Sequence, residues 1–512
     1  MSVIDGVSTA GGQLAGVAVD GGRCVAYKGI PFAAPPVGAN RWRVPQPAPP
    51  WQGTLRADHY GDAPLQPLPG ADHLLAQLSF ATVPECGTSE NCLTLNVWTP
   101  ASSKTDKLPV IVWVYGGGFR VGSGSHPVSE GEAFARQGCV LVSFNYRLSG
   151  LGFLAHPALT AESGASGNYA LHDVLAALRW VQANIAGFGG DPDCVTIFGQ
   201  SAGAAIINVL MGVNETRGLV HRCIVHSGGR MHGGPMSGLR SRSAAEAEGE
   251  QLLTRLGAQT TDQMRGLAGD VFFGAPRQFS PILDGALVQQ PPQQCFARGA
   301  QLQVPLLCGF TTNESASFPS PEWQTLAGFS RYVNESFGAT APELLRVYGV
   351  KDGASARRAS YQLRSDISFA YQPWQLAHSH AACAKAPTWL FQFGRAVPLP
   401  ASAHFHDEPL HGWGAYHGAE LWYVFNTLNR QPYWDWTAAD RTLADSMCAY
   451  WANFARTGNP NGNTLPQWPR FDGAAPQAML LGGDDPAGAR CEAGAVDNDA
   501  ALTLIRQYFN RD

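Results

Sequence analysis

The sequence predicts an α/β fold in which a mostly parallel central sheet is flanked by helices. Three observations carry that expectation. Short β-branched or aromatic runs alternate with helical patterns through the first half of the chain, the signature of a parallel sheet with crossover helices. Two of the runs, Val110 to Tyr115 and Val140 to Tyr146, are nearly unbroken apolar stretches, as strands buried on both faces read. Tyr169 to Ile185 instead places Leu171, Val174, Leu175, Leu178, Val181 and Ile185 near the 3.6-residue spacing of an amphipathic helix.

The remaining elements follow in order. Val110 to Tyr115 runs into Gly116-Gly117-Gly118, and the helix ends at Gly189-Gly190-Asp191-Pro192. Val195 to Phe198 is the next strand, and Ala202 to Met211 returns to helix. Later strands are expected at Arg222 to His226, Pro305 to Gly309 and Thr388 to Phe393. Around 230–300 and 315–385 the chain turns more helical and polar. No Gly/Ser linker sets these stretches apart, so they read as cap insertions within one domain spanning 1–512.

With 45% hydrophobic and 15% charged residues, the 512-residue chain can bury a large core. Its net charge of -5 argues against nucleic-acid binding, which calls for a basic excess on one face. No run approaches the ~18 apolar residues of a membrane span. Met1 to Gly12 lacks a basic stretch followed by an apolar core, so a cytoplasmic protein without a secretory leader is expected. The 11 cysteines are odd in number and thinly spread, unlike a disulfide scaffold. Cys86 and Cys92 alone lie close enough to invite a local bridge, although Cys92 opens a strand. The sequons at Asn214, Asn313 and Asn334 are near chance for this length.

Gly199-Gln200-Ser201-Ala202-Gly203 is a G-x-S-x-G between a strand and a helix, the setting of a nucleophile elbow. The turn is so tight that only small residues fit beside the serine, and Gly199 and Gly203 supply the room. Ser201 is thus the candidate nucleophile. Its hydroxyl needs a general base and somewhere for negative charge to go. Gly116-Gly117-Gly118-Phe119 supplies the second requirement, because glycines let backbone N–H groups approach a substrate oxygen closely. Gly117, Gly118 and Ala202 are the candidate oxyanion donors. A phosphate loop fits less well, since no Gly-Lys-Ser/Thr follows.

These residues resemble the type-B carboxylesterase/lipase family of α/β-hydrolases, which includes cholinesterases and bacterial p-nitrobenzyl esterases. The likeness covers nearly the whole chain. Lys28-Gly29-Ile30-Pro31-Phe32-Ala33, Ser89-Glu90-Asn91-Cys92-Leu93, Asn145-Tyr146-Arg147, Gly167-Asn168-Tyr169 and Thr457-Gly458-Asn459-Pro460-Asn461 all stand in register with it. Asn91 stands where Asp is usual, Gln200 where Glu is common, and His226 where Gln is usual. The resemblance implies an α/β-hydrolase fold and a Ser–Glu–His triad. Its acid is then Glu314, in Gly309-Phe310-Thr311-Thr312-Asn313-Glu314, and its base His417, in His417-Gly418-Ala419-Glu420-Leu421. The order Ser201, Glu314, His417 is that of α/β-hydrolases. Ser227 is expected to support the triad, and Arg41 with Glu90 and Arg147 with Asp173 to form structural pairs.

The implied reaction is hydrolysis of a small-molecule carboxylic ester through an acyl-enzyme, with no cofactor. A lipase acting on acylglycerols and a non-catalytic cholinesterase-like binding protein are the alternatives. A metal site could be drawn from His404, His406, Asp407, Glu408 and His411, or from His417 and Glu420, but no H-E-x-x-H or cysteine pair fixes its geometry, and no metal is expected. Phe119, Arg120 and Arg277 occupy positions that line the substrate site in the family. A guanidinium grips a carboxylate bidentately, so Arg120 and Arg277 suit esters of polycarboxylic acids, such as the tricarballylate esters of fumonisins.

Overall fold

Among the described residues, eleven strands form the central sheet. In chain order they are β1 (Val17–Val19), β2 (Cys24–Pro31), β3 (Thr94–Thr99), β4 (Leu108–Val114), β5 (Val140–Phe144) and β6 (Gly190–Gln200). They continue with β7 (Arg222–His226), β8 (Leu306–Thr311), β9 (Thr388–Phe393), β10 (Ala478–Leu481) and β11 (Cys491–Gly494). This computed structural model describes residues 6–68, 86–232, 238–273, 279–317, 323, 325–400, 412–483 and 490–510. The spatial order is β11-β10-β9-β8-β7-β6-β4-β5-β3-β2-β1. Pairing is parallel from β5 through β10 and antiparallel at both ends.

The apolar runs became the middle of the sheet, as expected of strands covered on both faces. Every residue of β5 and all of β4 after Leu108 is buried. One face of the middle is an aromatic cluster in which the Trp113 ring lies 4.6 Å from Phe198 and 5.0 Å from Phe425. The amphipathic helix is α1 (Tyr169–Asn184). It tightens into a 3-10 turn over Ile185–Phe188 and stops at Gly189, whose φ of 77° is left-handed. Strand β6 begins earlier than the sequence predicts. Its register shifts between Gly190 and Val195, so Pro192 falls in the irregularity, where no ladder hydrogen bond is required of it.

Two arginine–carboxylate pairs fix the loops around this frame. Arg147, just beyond β5, reaches Asp173 on α1 with Nε at 2.9 Å and Nη2 at 2.7 Å, both side chains being buried. Asp173 also accepts the Arg147 backbone N–H at 2.9 Å, so one carboxylate satisfies both a charge and a chain turn. Arg41 reaches Glu90 through Nε at 2.9 Å and caps the Leu267 carbonyl at 2.6 Å. The stretches around 230–300 and 315–385 contribute helices, among them Arg242–Arg255, Leu326–Phe337, Gly353–Ser365 and Tyr371–Cys383. All eleven cysteines are free thiols, Cys86 and Cys92 included. No helix among the described residues is long and apolar enough to cross a membrane.

Candidate active site

Ser201 sits where β6 turns into α2 (Ala202–Leu210), with φ 56° and ψ -121°, a conformation that a residue bearing a Cβ rarely adopts. Its N–H donates to the His226 carbonyl at 2.9 Å, tying the turn to the end of β7. The glycines around it are required by close approach. A Cβ on Gly203 would stand 2.0 Å from the Val114 carbonyl oxygen, and one on Gly199 would stand 2.7 Å from the Gly203 carbonyl carbon. Sequence reading found that pair. It missed Gly228, where a Cβ would lie 2.3 Å from the Ser201 carbonyl oxygen, because Gly228 lies outside the G-x-S-x-G motif. Gly203→Val is therefore expected to destabilise the protein by about 3 kcal/mol or more, read as a lower denaturant midpoint.

The loop Gly116–Phe119 abuts Ser201. A Cβ on Gly116 would lie 2.9 Å from the Ser201 Cβ. Gly117, Gly118 and Phe119 all have positive φ, at 101°, 63° and 64°. Among the described residues, no backbone or side-chain acceptor takes the N–H of Gly117, Gly118 or Ala202. The Phe119 ring is buried and packs edge-on against Phe153 at 5.3 Å.

Glu314 follows β8 by three residues and is fully buried. Its Oε2 lies 2.5 Å from His417 Nδ1, and its Oε1 accepts the Ser227 hydroxyl at 2.5 Å and the Thr311 N–H at 2.7 Å. The carboxylate is thus held from three sides, and its contact with Nδ1 fixes the imidazole proton there. At the other edge, Gln200 Nε2 lies 3.2 Å from His417 Nε2. An amide nitrogen is a donor, so His417 Nε2 accepts, as a general base must. Ser201 Oγ makes no hydrogen bond to His417 among the described residues; Gln200, its chain neighbour, faces that nitrogen. The Phe369 ring covers the imidazole at 4.2 Å from a π-helical turn over Asp366–Ala370. Sequence reading carried no signal for that contact.

Glu420 lies three residues beyond His417 but faces another way, toward His226 Nδ1 at 3.1 Å. His226 Nε2 accepts the Trp451 indole N–H at 3.1 Å, which leaves the imidazole proton on Nδ1 for Glu420. Burial holds His226 neutral, well below its ordinary pKa. Burial first, and then the Glu314 charge, push the Glu420 carboxyl up to about 8. In the unfolded chain this group ionises near 4.5, so stability falls as pH rises from about 4.5 through about 8. Glu420→Gln is expected to remove that loss. Its unfolding free energy relative to the parent should gain at least about 1 kcal/mol between pH 5 and pH 8.

Among the described residues, no group of three or more His, Cys, Asp or Glu side chains could hold a metal. His404, His406, Asp407, Glu408 and His411 lie outside the described residues, as does Arg277. Asp173 is committed to Arg147 and stands apart from the triad. Arg120 is half-buried, its Nε is enclosed without a partner, and no carboxylate pairs with it among the described residues.

The family model described as the Carboxylesterase family matches residues 5–493. Fumonisin B1 esterase of Sphingopyxis macrogoltabida is 36% identical over 468 residues, covering 87% of this chain and 81% of that protein. Para-nitrobenzyl esterase of Bacillus subtilis (strain 168) is 31% identical over 478 residues, covering 89% and 90%. A crystal structure of a Geobacillus stearothermophilus carboxylesterase superposes with a TM-score of 0.80 at 30% identity, covering 98% of this chain and all of that one.

Proposed function

The chain belongs to the carboxylesterase family, and from that membership we propose that it cleaves carboxylic esters through an acyl-enzyme carried on Ser201. The observation that carries the assignment of roles is the 2.5 Å Glu314–His417 contact beside a serine on a strained strand-to-helix turn. His417 Nε2 takes the proton as Ser201 Oγ attacks the ester carbonyl. For that step Ser201 replaces Gln200 as the donor to Nε2. Glu314 stabilises the imidazolium, and Ser227 keeps the carboxylate turned toward Nδ1. The N–H groups of Gly117, Gly118 and Ala202 receive the oxyanion, aided by the N-terminal field of α2. His417 then protonates the leaving alcohol, and water repeats the sequence on the acyl group.

One relative is named a fumonisin B1 esterase, and esters of acidic acyl groups are the substrate class we propose. Arg120, half-buried, next in the chain to Phe119 and unpaired among the described residues, is suited to a substrate carboxylate, and Arg277 is proposed for the same role. Assay on p-nitrophenyl butyrate, with an organophosphate and a chelator as inhibitors, tests the reading. The organophosphate should abolish turnover and the chelator leave it intact; the reverse pattern defeats the proposal. Faster turnover of emulsified triglyceride than of soluble ester would favour the lipase alternative.

A further inference from the structure

Phe119, the residue after the oxyanion glycines, carries a cation on its ring. The Arg230 guanidinium lies 5.5 Å from the ring centroid. Arg230 arrives there because Ser227-Gly228-Gly229 leads the chain from the triad's supporting hydroxyl past the nucleophile. Its backbone N–H is anchored to Asn208 Oδ1 on α2 at 2.7 Å. The side chain therefore bridges two walls of the site, the segment after β7 and the oxyanion loop.

Among the described residues no carboxylate pairs with Arg230, and its side-chain nitrogens make no hydrogen bond. Its Nε is enclosed without a partner. The neighbouring charge is of the same sign, that of Arg240, whose own partner is Glu248. Burial and that neighbour draw the guanidinium down to about 10. His232, two residues on, is neutral: burial, then Arg230, hold it down to about 4. Arg230 is half-buried, and a guanidinium withdrawn this far from water is ordinarily paired with a carboxylate, because desolvation without pairing is costly. Here the fork is left open beside the oxyanion loop, where the planar geometry matches a carboxylate through two parallel N–H bonds.

We propose that Arg230 is a specificity-determining residue that binds a carboxylate carried by the ester substrate and so selects acidic over neutral esters. The proposal rests on the ester-hydrolase reading and adds to it a residue that sequence motifs did not single out. Three substrates separate the sources of the acid: monoethyl glutarate carries it on the acyl side, butyryloxyacetate on the alcohol side, and ethyl butyrate not at all. Arg230→Met keeps the stem over Phe119 and removes the charge. The ratio of kcat/KM on at least one acidic ester to that on ethyl butyrate should fall at least tenfold in this variant. An unchanged ratio for both acidic esters overturns the proposal. Should Arg230→Met fail to fold by circular dichroism, inhibition of wild-type ethyl butyrate turnover by free glutarate decides. Competitive inhibition weakened in Arg230→Lys is expected, and absence of inhibition in the wild type overturns the proposal. If the wild type hydrolyses none of the three esters, the hydrolase reading has failed instead. Glutarate binding by calorimetry, to wild type against Arg230→Met, then still tests the site.

Discussion

Ser201→Ala should hydrolyse p-nitrophenyl butyrate at least about 10⁴-fold more slowly than the parent, with an unchanged circular dichroism spectrum and unfolding midpoint. The loss should fall on kcat, because the hydroxyl is needed for bond formation and not for holding the ester. His417→Ala should be about as damaging, and the double variant little worse than either single one, since the two groups act as one unit. Additive losses would mean that the imidazole does not serve the serine. The expectation follows from the charge layout around His417. Glu314 Oε2 at 2.5 Å fixes the proton on Nδ1, leaving Nε2 as the acceptor for whichever donor faces it. In this structure the donor is Gln200 at 3.2 Å. An ester carbonyl poised over Ser201 changes that balance, because proton transfer to His417 then accompanies formation of a covalent bond.

The second large effect concerns stability. Asp173→Ala leaves Arg147 buried with its charge uncompensated, since the pair is closed from solvent and bidentate. Breaking one partner of such a pair costs about 3–5 kcal/mol, and the unfolding midpoint in urea should fall accordingly. Replacing both together, Arg147→Met with Asp173→Leu, should recover much of the loss, because apolar residues of similar volume do not carry the desolvation cost. A single variant as stable as the parent would show that the pair does not anchor the loop after β5.

Much of this was legible in the chain, for local reasons. The strand, tight turn and helix around Ser201 are contiguous, so spacing alone places Ser201 on the turn. The buried strands β4 and β5 announce themselves through runs that are apolar throughout in β4 and broken only by Ser143 in β5. Glu314 and His417 are far apart in sequence and were readable through their motifs' resemblance to a family, not through composition or periodicity. The parts that escaped are tertiary. Gly228 matters because its missing Cβ leaves room for the Ser201 carbonyl. Glu420, three residues beyond His417, turns to His226 at the end of β7, a contact that no spacing in the chain displays. Arg230 carries no motif; the role proposed for it comes from the ring beneath it and from the lack of an acid beside it among the described residues, which a linear sequence does not display. Strand β6 was underestimated because Pro192 reads as a stop until the register shift shows how the sheet accommodates it.

Trapping the covalent intermediate tests the account at its centre. Turnover of p-nitrophenyl butyrate quenched in acid, followed by digestion and mass spectrometry, should yield a butyryl adduct on the peptide carrying Ser201, and none in Ser201→Ala. An adduct on a different side chain, or full turnover with the Ser201→Ala variant, would contradict it.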